Sequence, residues 1–244
     1  MRKNVRIELL YEDADLLAVF KPSGLSTTPG RGRDTSLIQI LTGPGGYPDL
    51  RLVHRIDADT SGVLLLAKGV ESQRTLTRMF TERKIAKEYL AIVVGRPSEA
   101  KGRIDAPIGP DLKHSDRMCV RKRGRASVTE WELLESWVGY SLLRCRPETG
   151  RTHQIRVHLA YAEMPLAVDP LYGSREGIFL SRVKPGYRRS RKHAEYPLIG
   201  RLTLHAEALS LEHPRTGESL RFTAEPAKDF RAAMRQLRFA ESSE

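Results

Sequence analysis

Hydrophobic positions along this chain fall into short runs and alternations rather than one long period. Residues 6–10 and 16–20 read as two strands joined by the polar turn Tyr11-Glu-Asp-Ala-Asp, after which Lys21-Pro-Ser-Gly interrupts the chain. Residues 35–41 predict a short helix capped by Asp34, followed by a Gly43-Pro-Gly-Gly-Tyr-Pro loop. Residues 63–67 are continuously apolar, the pattern of a strand covered on both faces. A helix over 72–83 places Leu76, Met79 and Phe80 on one side, and 88–94 is a further strand. Strands over 126–134 and 140–145 flank a turn at Gly139, the mark of an antiparallel pair. The clearest helix is 152–162, where Ile155, Leu159 and Ala162 share a face and Thr152 is the expected N-cap. Residues 175–199 predict a long irregular excursion. Residues 202–211 and 219–223 predict a hairpin around His213-Pro-Arg-Thr-Gly, and 226–237 a closing helix. Antiparallel strands with segregated helices make the expected fold class α+β.

With 244 residues, 40% hydrophobic and 29% charged, the chain is long enough for a folded core and has a globular composition. Its longest apolar run is too short to cross a bilayer, and no apolar signal core follows the basic N-terminus. The two cysteines, Cys119 and Cys145, are too few and too far apart for a disulfide framework or a cysteine zinc site. A cytoplasmic location with free thiols and no membrane partner is therefore expected. The formal charge of +11 is unevenly spread. Residues 113–125 hold six basic side chains and one acid, and 174–200 hold seven and two, so these segments carry +10 between them. Two basic segments on a near-neutral body suit a polyanion, and neither is an apolar amphipathic helix that would favour a membrane surface. The plainer alternative is two solvated loops.

Three stretches carry candidate chemistry. A polar loop, His54 to Gly62, precedes the apolar run and sets Asp57 at the edge of the core, where a carboxylate can serve as nucleophile or general base. Alternatively Asp57 is a turn carboxylate capping Thr60-Ser61-Gly62, a role that suits Asp59 better. In Glu148-Thr-Gly-Arg-Thr-His-Gln-Ile-Arg a glycine turn feeds a helix start bearing Arg151, His153 and Arg156. Such a start can bind phosphate or pair with a carboxylate. His153 and His158 are five apart, wrong for two zinc ligands on one helical face, and His158 reads as a hydrogen-bonded structural residue. Tyr89 alternates with apolar neighbours, which fits either a core tyrosine or a ring that stacks on a nucleobase.

Taken together, the motifs closely resemble those of the RluA-type pseudouridine synthases. The signature His-Arg-Leu-Asp-x-x-Thr-Ser-Gly stands here as His54-Arg-Ile-Asp-Ala-Asp-Thr-Ser-Gly62, with Ile56 a mild departure. The Lys-x-Tyr strand is Lys87-Glu-Tyr89, and Gly-x-x-His-Gln-Ile-Arg is matched at Gly150 to Arg156. The later Asp-x-x-Tyr-Gly is matched at Asp169 to Gly173. The resemblance runs from Ala18-Val-Phe-Lys-Pro-Ser-Gly-Leu to Leu204-His-Ala. It implies an isomerase of rRNA or tRNA uridine, with a twisted, mostly antiparallel mixed sheet flanked by helices around a central cleft. One catalytic domain over 1–244 is expected. Asp57 matches the catalytic aspartate, Tyr89 the tyrosine that stacks on the target base, and Arg156 the arginine paired with that aspartate. Arg55 matches a residue that fills the space left by the extruded uridine, and Lys21 the lysine of the first motif. His54, Thr60, Arg151, His153 and Gln154 complete the expected RNA-contacting set.

The resemblance implies no metal, no organic cofactor and a monomer. The chain is expected to begin directly at the catalytic fold, without the small N-terminal RNA-binding domain of many relatives. The basic segments 113–125 and 174–200 are expected to grip RNA phosphates in its place. Two rival readings are a non-catalytic RNA-binding protein that kept the fold, and a glycosidase using Asp57 with Asp59. The presence of Asp57, Tyr89 and Arg156 argues against the first, and an aromatic content of 7% against the second.

Overall fold

The computed structural model describes residues 6–30, 35–184, 186–188 and 193–241. In chain order the elements are β1 (Glu8–Glu12), β2 (Leu16–Lys21), α1 (Leu37–Leu41), β3 (Leu50–Leu52), β4 (Ser61–Lys68) and α2 (Val70–Thr81). There follow β5 (Ala86–Val94), β6 (Lys101–Asp105), β7 (Ile108–Pro110), β8 (Met118–Val120), β9 (Val128–Trp137) and β10 (Tyr140–Pro147). The chain closes with α3 (Gln154–Tyr161), α4 (Leu180–Val183), β11 (Leu204–Glu212), β12 (Ser219–Thr223) and α5 (Lys228–Glu241). They divide into two compact units, Met1–Lys87 with Ala206–Glu225, and Glu88–His205 with Pro226–Glu244.

In the first unit the strand order is β1-β2-β4-β11, with β3 also on β4 and β12 on β11. β2 runs antiparallel to β4, pairing Leu16 with Ala67 and Lys21 with Gly62. The apolar run at 63–67 is indeed a strand buried on both faces. One face meets Leu76 and Met79 of α2 together with Leu209, Leu211 and Phe222. Gly62 has φ +118°, and a Cβ there would lie 2.1 Å from the carbonyl oxygen of Ala206, so only glycine fits this close backbone approach. The N-cap of α1 is Ser36, whose N–H and hydroxyl both reach Oε1 of Gln39. The expected cap, Asp34, lies outside the described residues.

In the second unit β5-β10-β9-β6 form an antiparallel sheet, and β7-β8 a separate hairpin. Alternation along β5 divides two cores. Leu90 and Ile92 pack with Trp137, Ile178, Ile199 and Phe230, while Ala91 and Val93 pack with Trp131, Leu143, Ile155 and Leu159. The turn at Gly139 joins β9 to β10 with φ +75°. The excursion at 175–199 is not wholly irregular. It contains α4, and Ile178 bridges Ile199 with both side chains buried in the core.

Candidate active site

The loop carrying Asp57 is built from main-chain bonds. Its turn closes when the Thr60 N–H donates to the main-chain oxygen of Asp57 at 3.1 Å, so that N–H does not depend on a carboxylate cap. The loop is tied to the segment after β2 by three further bonds. Gly24 N–H donates to Ala58 O at 2.9 Å, the Ser23 hydroxyl to Asp59 O at 2.6 Å and the Thr27 hydroxyl to Ile56 O at 3.1 Å. Lys21 explains why this segment is rigid. Its side chain is fully buried, and Nζ donates to the carbonyls of Pro22, Leu25 and Ala58 at 2.9, 2.8 and 2.7 Å. An ammonium has three donors, and three converging carbonyl dipoles offset the burial of its charge. Lys21 therefore clamps the residue next to Asp57.

His54 braces the other side of the loop. Its Nε2 accepts the Leu65 N–H at 2.9 Å, and its ring stacks on Phe80 with centroids 4.5 Å apart. Burial pushes its pKa down to about 3, and the nearby Lys87 ammonium adds to the shift, so the ring is neutral. Thr60 is buried, Asp57 is half-buried, and Arg55 is exposed.

The second unit holds the other candidates. Tyr89 lies on β5 opposite Cys145 of β10, half-buried against the core that includes Ile155 and Leu159. Burial lifts the Cys145 thiol to about 12, which leaves it inert. Helix α3 begins at Gln154, two residues later than the sequence suggests, because His153 takes the left-handed conformation at φ +56°. His153 and Arg156 are therefore not successive rungs of one helical face. Gln154 plugs the helix start: its Oε1 accepts the Thr149 hydroxyl and the Arg151 N–H, and its Nε2 donates to Val128 O and the Thr129 hydroxyl. His158 stands between that same Thr129 hydroxyl and the Ala106 carbonyl, each at 2.9 Å, which is the structural role its position suggested. Arg151 donates to Ala126 O through Nε and Nη2.

Arg156 is buried and grips Asp169 in a two-pronged ion pair, Nε to Oδ2 at 2.8 Å and Nη2 to Oδ1 at 2.7 Å. Oδ1 also accepts the N–H of Leu171 and Tyr172. The Tyr172 ring lies 5.1 Å from the guanidinium carbon, and its hydroxyl meets Nδ1 of His153 at 2.8 Å. Sequence reasoning missed this arginine–carboxylate pair, although Asp169 and Tyr172 stood in a recognised motif. The two partners are thirteen residues apart in a helix and a loop, where periodicity gives no signal.

The described residues include one acid–histidine group of metal-binding size, Asp13, Asp15 and His213. Its side chains already contact protein donors and cations. Asp13 receives the Tyr11 hydroxyl and two main-chain N–H groups, and Asp15 pairs with Arg215 at 2.6 Å. The group fastens two turns of the first unit.

A family model described as RNA pseudouridylate synthase matches residues 15–161, which include the Asp57 loop, Tyr89 and Arg156. The chain belongs to this family. It is thus an isomerase that converts uridine in RNA to pseudouridine. Relatives include an uncharacterized RNA pseudouridine synthase of Bacillus subtilis, 37% identical over 95% of this chain and 73% of the relative. The ribosomal large subunit pseudouridine synthase D of Xanthomonas campestris is 37% identical over 97% and 71%. The corresponding synthase C of Escherichia coli is 38% identical over 95% and 70%. Among solved structures, human RNA pseudouridylate synthase domain containing 4 aligns over 95% of this chain and 93% of that one, with TM-score 0.70 and 25% identity. Domain containing 1 gives TM-score 0.69 and 26% identity over 92% and 85%. These likenesses bear out the α+β class. Among the described residues no helix is long and apolar enough to cross a membrane.

Proposed function

We propose that this pseudouridine synthase acts on large-subunit ribosomal RNA, with Asp57 as nucleophile, Tyr89 as the stacking platform and Arg156 as the cation that favours an ionised carboxylate. The observation that carries the reading is the rigid presentation of a half-buried Asp57, on a loop clamped by Lys21, within the span that matches the family. The ribosomal substrate is suggested by the names of the relatives. The two units are taken to work as one catalytic domain.

The chemistry follows from the reaction. A stacked uridine hides its C5, so the base must flip out at a cost of about a few kcal/mol. Stacking on an aromatic face such as Tyr89 returns about 1–3 kcal/mol of this. As the bond from N1 to the ribose breaks, positive charge develops on the sugar, and a carboxylate opposite it stabilises or traps that charge. The uracil turns, C5 bonds to the ribose carbon, the C5 hydrogen leaves as a proton and N1 gains one. Arg55, exposed on the Asp57 loop, is read as the residue that enters the space vacated by the base. Lys122, Arg123 and Arg125, exposed beside the β7-β8 hairpin, supply phosphate contacts. In the second basic segment Arg175 and Arg188 do the same. The enzyme is read as a cytoplasmic monomer needing no cofactor.

Asp57→Asn tests the assignment. It should remove turnover by at least about a thousandfold while leaving RNA affinity within about twofold. Retained turnover would refute the nucleophile, and lost affinity with intact turnover would favour a binding role for this loop.

A further inference from the structure

Tyr172 has no part in the chemistry above, yet it touches three separate pieces of the second unit. Its hydroxyl accepts the N–H of Met118 on β8 at 2.8 Å. Met118 lies opposite Pro110 in the β7-β8 register, and its N–H is met by a side chain 54 residues further along. The same hydroxyl stands 2.8 Å from Nδ1 of His153, the left-handed residue that starts α3. A phenol oxygen can accept the Met118 proton and give its own hydrogen to the imidazole. The ring lies beneath the Arg156 guanidinium at cation–π distance. Asp169 completes the arrangement, because the oxygen that pairs with Arg156 Nη2 also accepts the Tyr172 N–H at 3.2 Å.

The strand held by the hydroxyl belongs to the more compactly charged of the two basic segments. Residues 113–125 hold six basic side chains, and Lys113, Lys122, Arg123 and Arg125 are exposed. The group held by the ring is the arginine assigned above to the catalytic machinery. Hydroxyl and ring therefore serve different partners, and a single side chain joins them.

We propose that Tyr172 is a positioning residue with two coupled duties: its hydroxyl seats the basic β7-β8 hairpin that grips RNA, and its ring orients Arg156. The proposal rests on the catalytic reading of Arg156. Its two halves are separable by chemistry. Tyr172→Phe keeps the ring under Arg156 and releases Met118 and His153. Tyr172→Leu removes both functions.

The test is steady-state kinetics of the full chain on an unmodified large-subunit rRNA transcript labelled with tritium at uridine C5, with thermal unfolding confirming that each variant is folded. Tyr172→Phe should raise KM about three- to tenfold with kcat within about twofold, the scale of one lost hydrogen bond. Tyr172→Leu should add a fall in kcat of about tenfold. The KM effect of Tyr172→Phe should disappear when Lys122 and Arg123 are both changed to Gln, since coupled residues do not act additively. An unchanged KM in Tyr172→Phe, or a KM effect that persists in the Lys122→Gln, Arg123→Gln background, would overturn the coupling. Arg156→Lys separates failure of the underlying reading. If that variant keeps wild-type kcat, Arg156 is not catalytic and the ring half of the proposal falls with it, while the KM result still decides the hairpin half. If Tyr172→Leu does not fold, Tyr172→Phe alone carries the decision.

Discussion

Around Asp57 the restraint comes mainly from the backbone. Carbonyls of Pro22, Leu25 and Ala58 converge on the Lys21 ammonium, and main-chain oxygens of Ile56, Asp57, Ala58 and Asp59 accept the remaining bonds described. Around Arg156 the restraint described comes from side chains: a buried carboxylate, and a phenol whose hydroxyl meets an imidazole. Backbone dipoles are numerous, fixed in place and do not titrate. A loop held by them does not rely on titratable side chains to accept its hydrogen bonds. An ion pair concentrates the same duty in two residues, so loss of either leaves a buried charge without its partner. The first device tolerates single changes; the second gives direction to one guanidinium and is fragile.

The sharpest way to break this contrast is to remove Asp169. Asp169→Leu removes the bidentate carboxylate from the buried Arg156 and should destabilise the protein by about 3–5 kcal/mol, read by urea unfolding. The double variant with Arg156→Leu should recover much of that loss. If the single variant costs under about 1 kcal/mol, the pair does not anchor this region.

Lys21→Met is the matching test in the other region. The carbonyls of Pro22 and Leu25 lose the ammonium while Ala58 O keeps the Gly24 N–H, and a buried charge is removed at the same time. A cost of about 2–3 kcal/mol is expected, smaller than for Asp169→Leu. A cost above that of Asp169→Leu would reverse the comparison.

The smallest effect belongs to His54 and depends on pH. Its pKa is about 3 in the folded protein and about 6.5 in an unfolded chain. Between those values the unfolded state binds more protons, so His54 contributes full stability above about pH 6.5 and loses it progressively as the pH falls toward 3. Relative to His54→Gln, the wild type should lose about 1–2 kcal/mol between pH 7 and pH 5. Parallel stability profiles for the two proteins would contradict a lowered His54 pKa.

Legibility in the sequence followed the physics of each segment. The strands β4 and β5 were evident because burial on both faces demands unbroken apolar runs, and the hairpin β11-β12 because its turn chemistry is local. Strand β6 was not, since Lys101, Arg103 and Asp105 are exposed and only Ile104 is buried. The short strands β7 and β8 escaped notice because Pro110 and a charge-rich neighbourhood hide them. The start of α3 was misplaced by two residues. Thr152 has the right chemistry for a cap, but Gln154 satisfies the Arg151 N–H from inside the helix, and His153 turns left-handed to allow it. Of the proposed site residues, Asp57, Tyr89 and Arg156 each carried both a structural and a chemical reading in the sequence, and only the motifs decided between them. The duty of Lys21 was invisible, because a buried lysine held by carbonyls has the same sequence signal as an exposed one. The Asp169–Arg156 pair joins a loop to a helix, and such pairing is set by tertiary structure alone.

The most direct test of the account is tritium release from unmodified RNA labelled at uridine C5, with wild type and Asp57→Ala compared side by side. Only replacement of the C5 hydrogen frees the label. The account predicts release by the wild type and none above background by a folded Asp57→Ala protein. Equal release from both would contradict the assignment of Asp57 as the nucleophile.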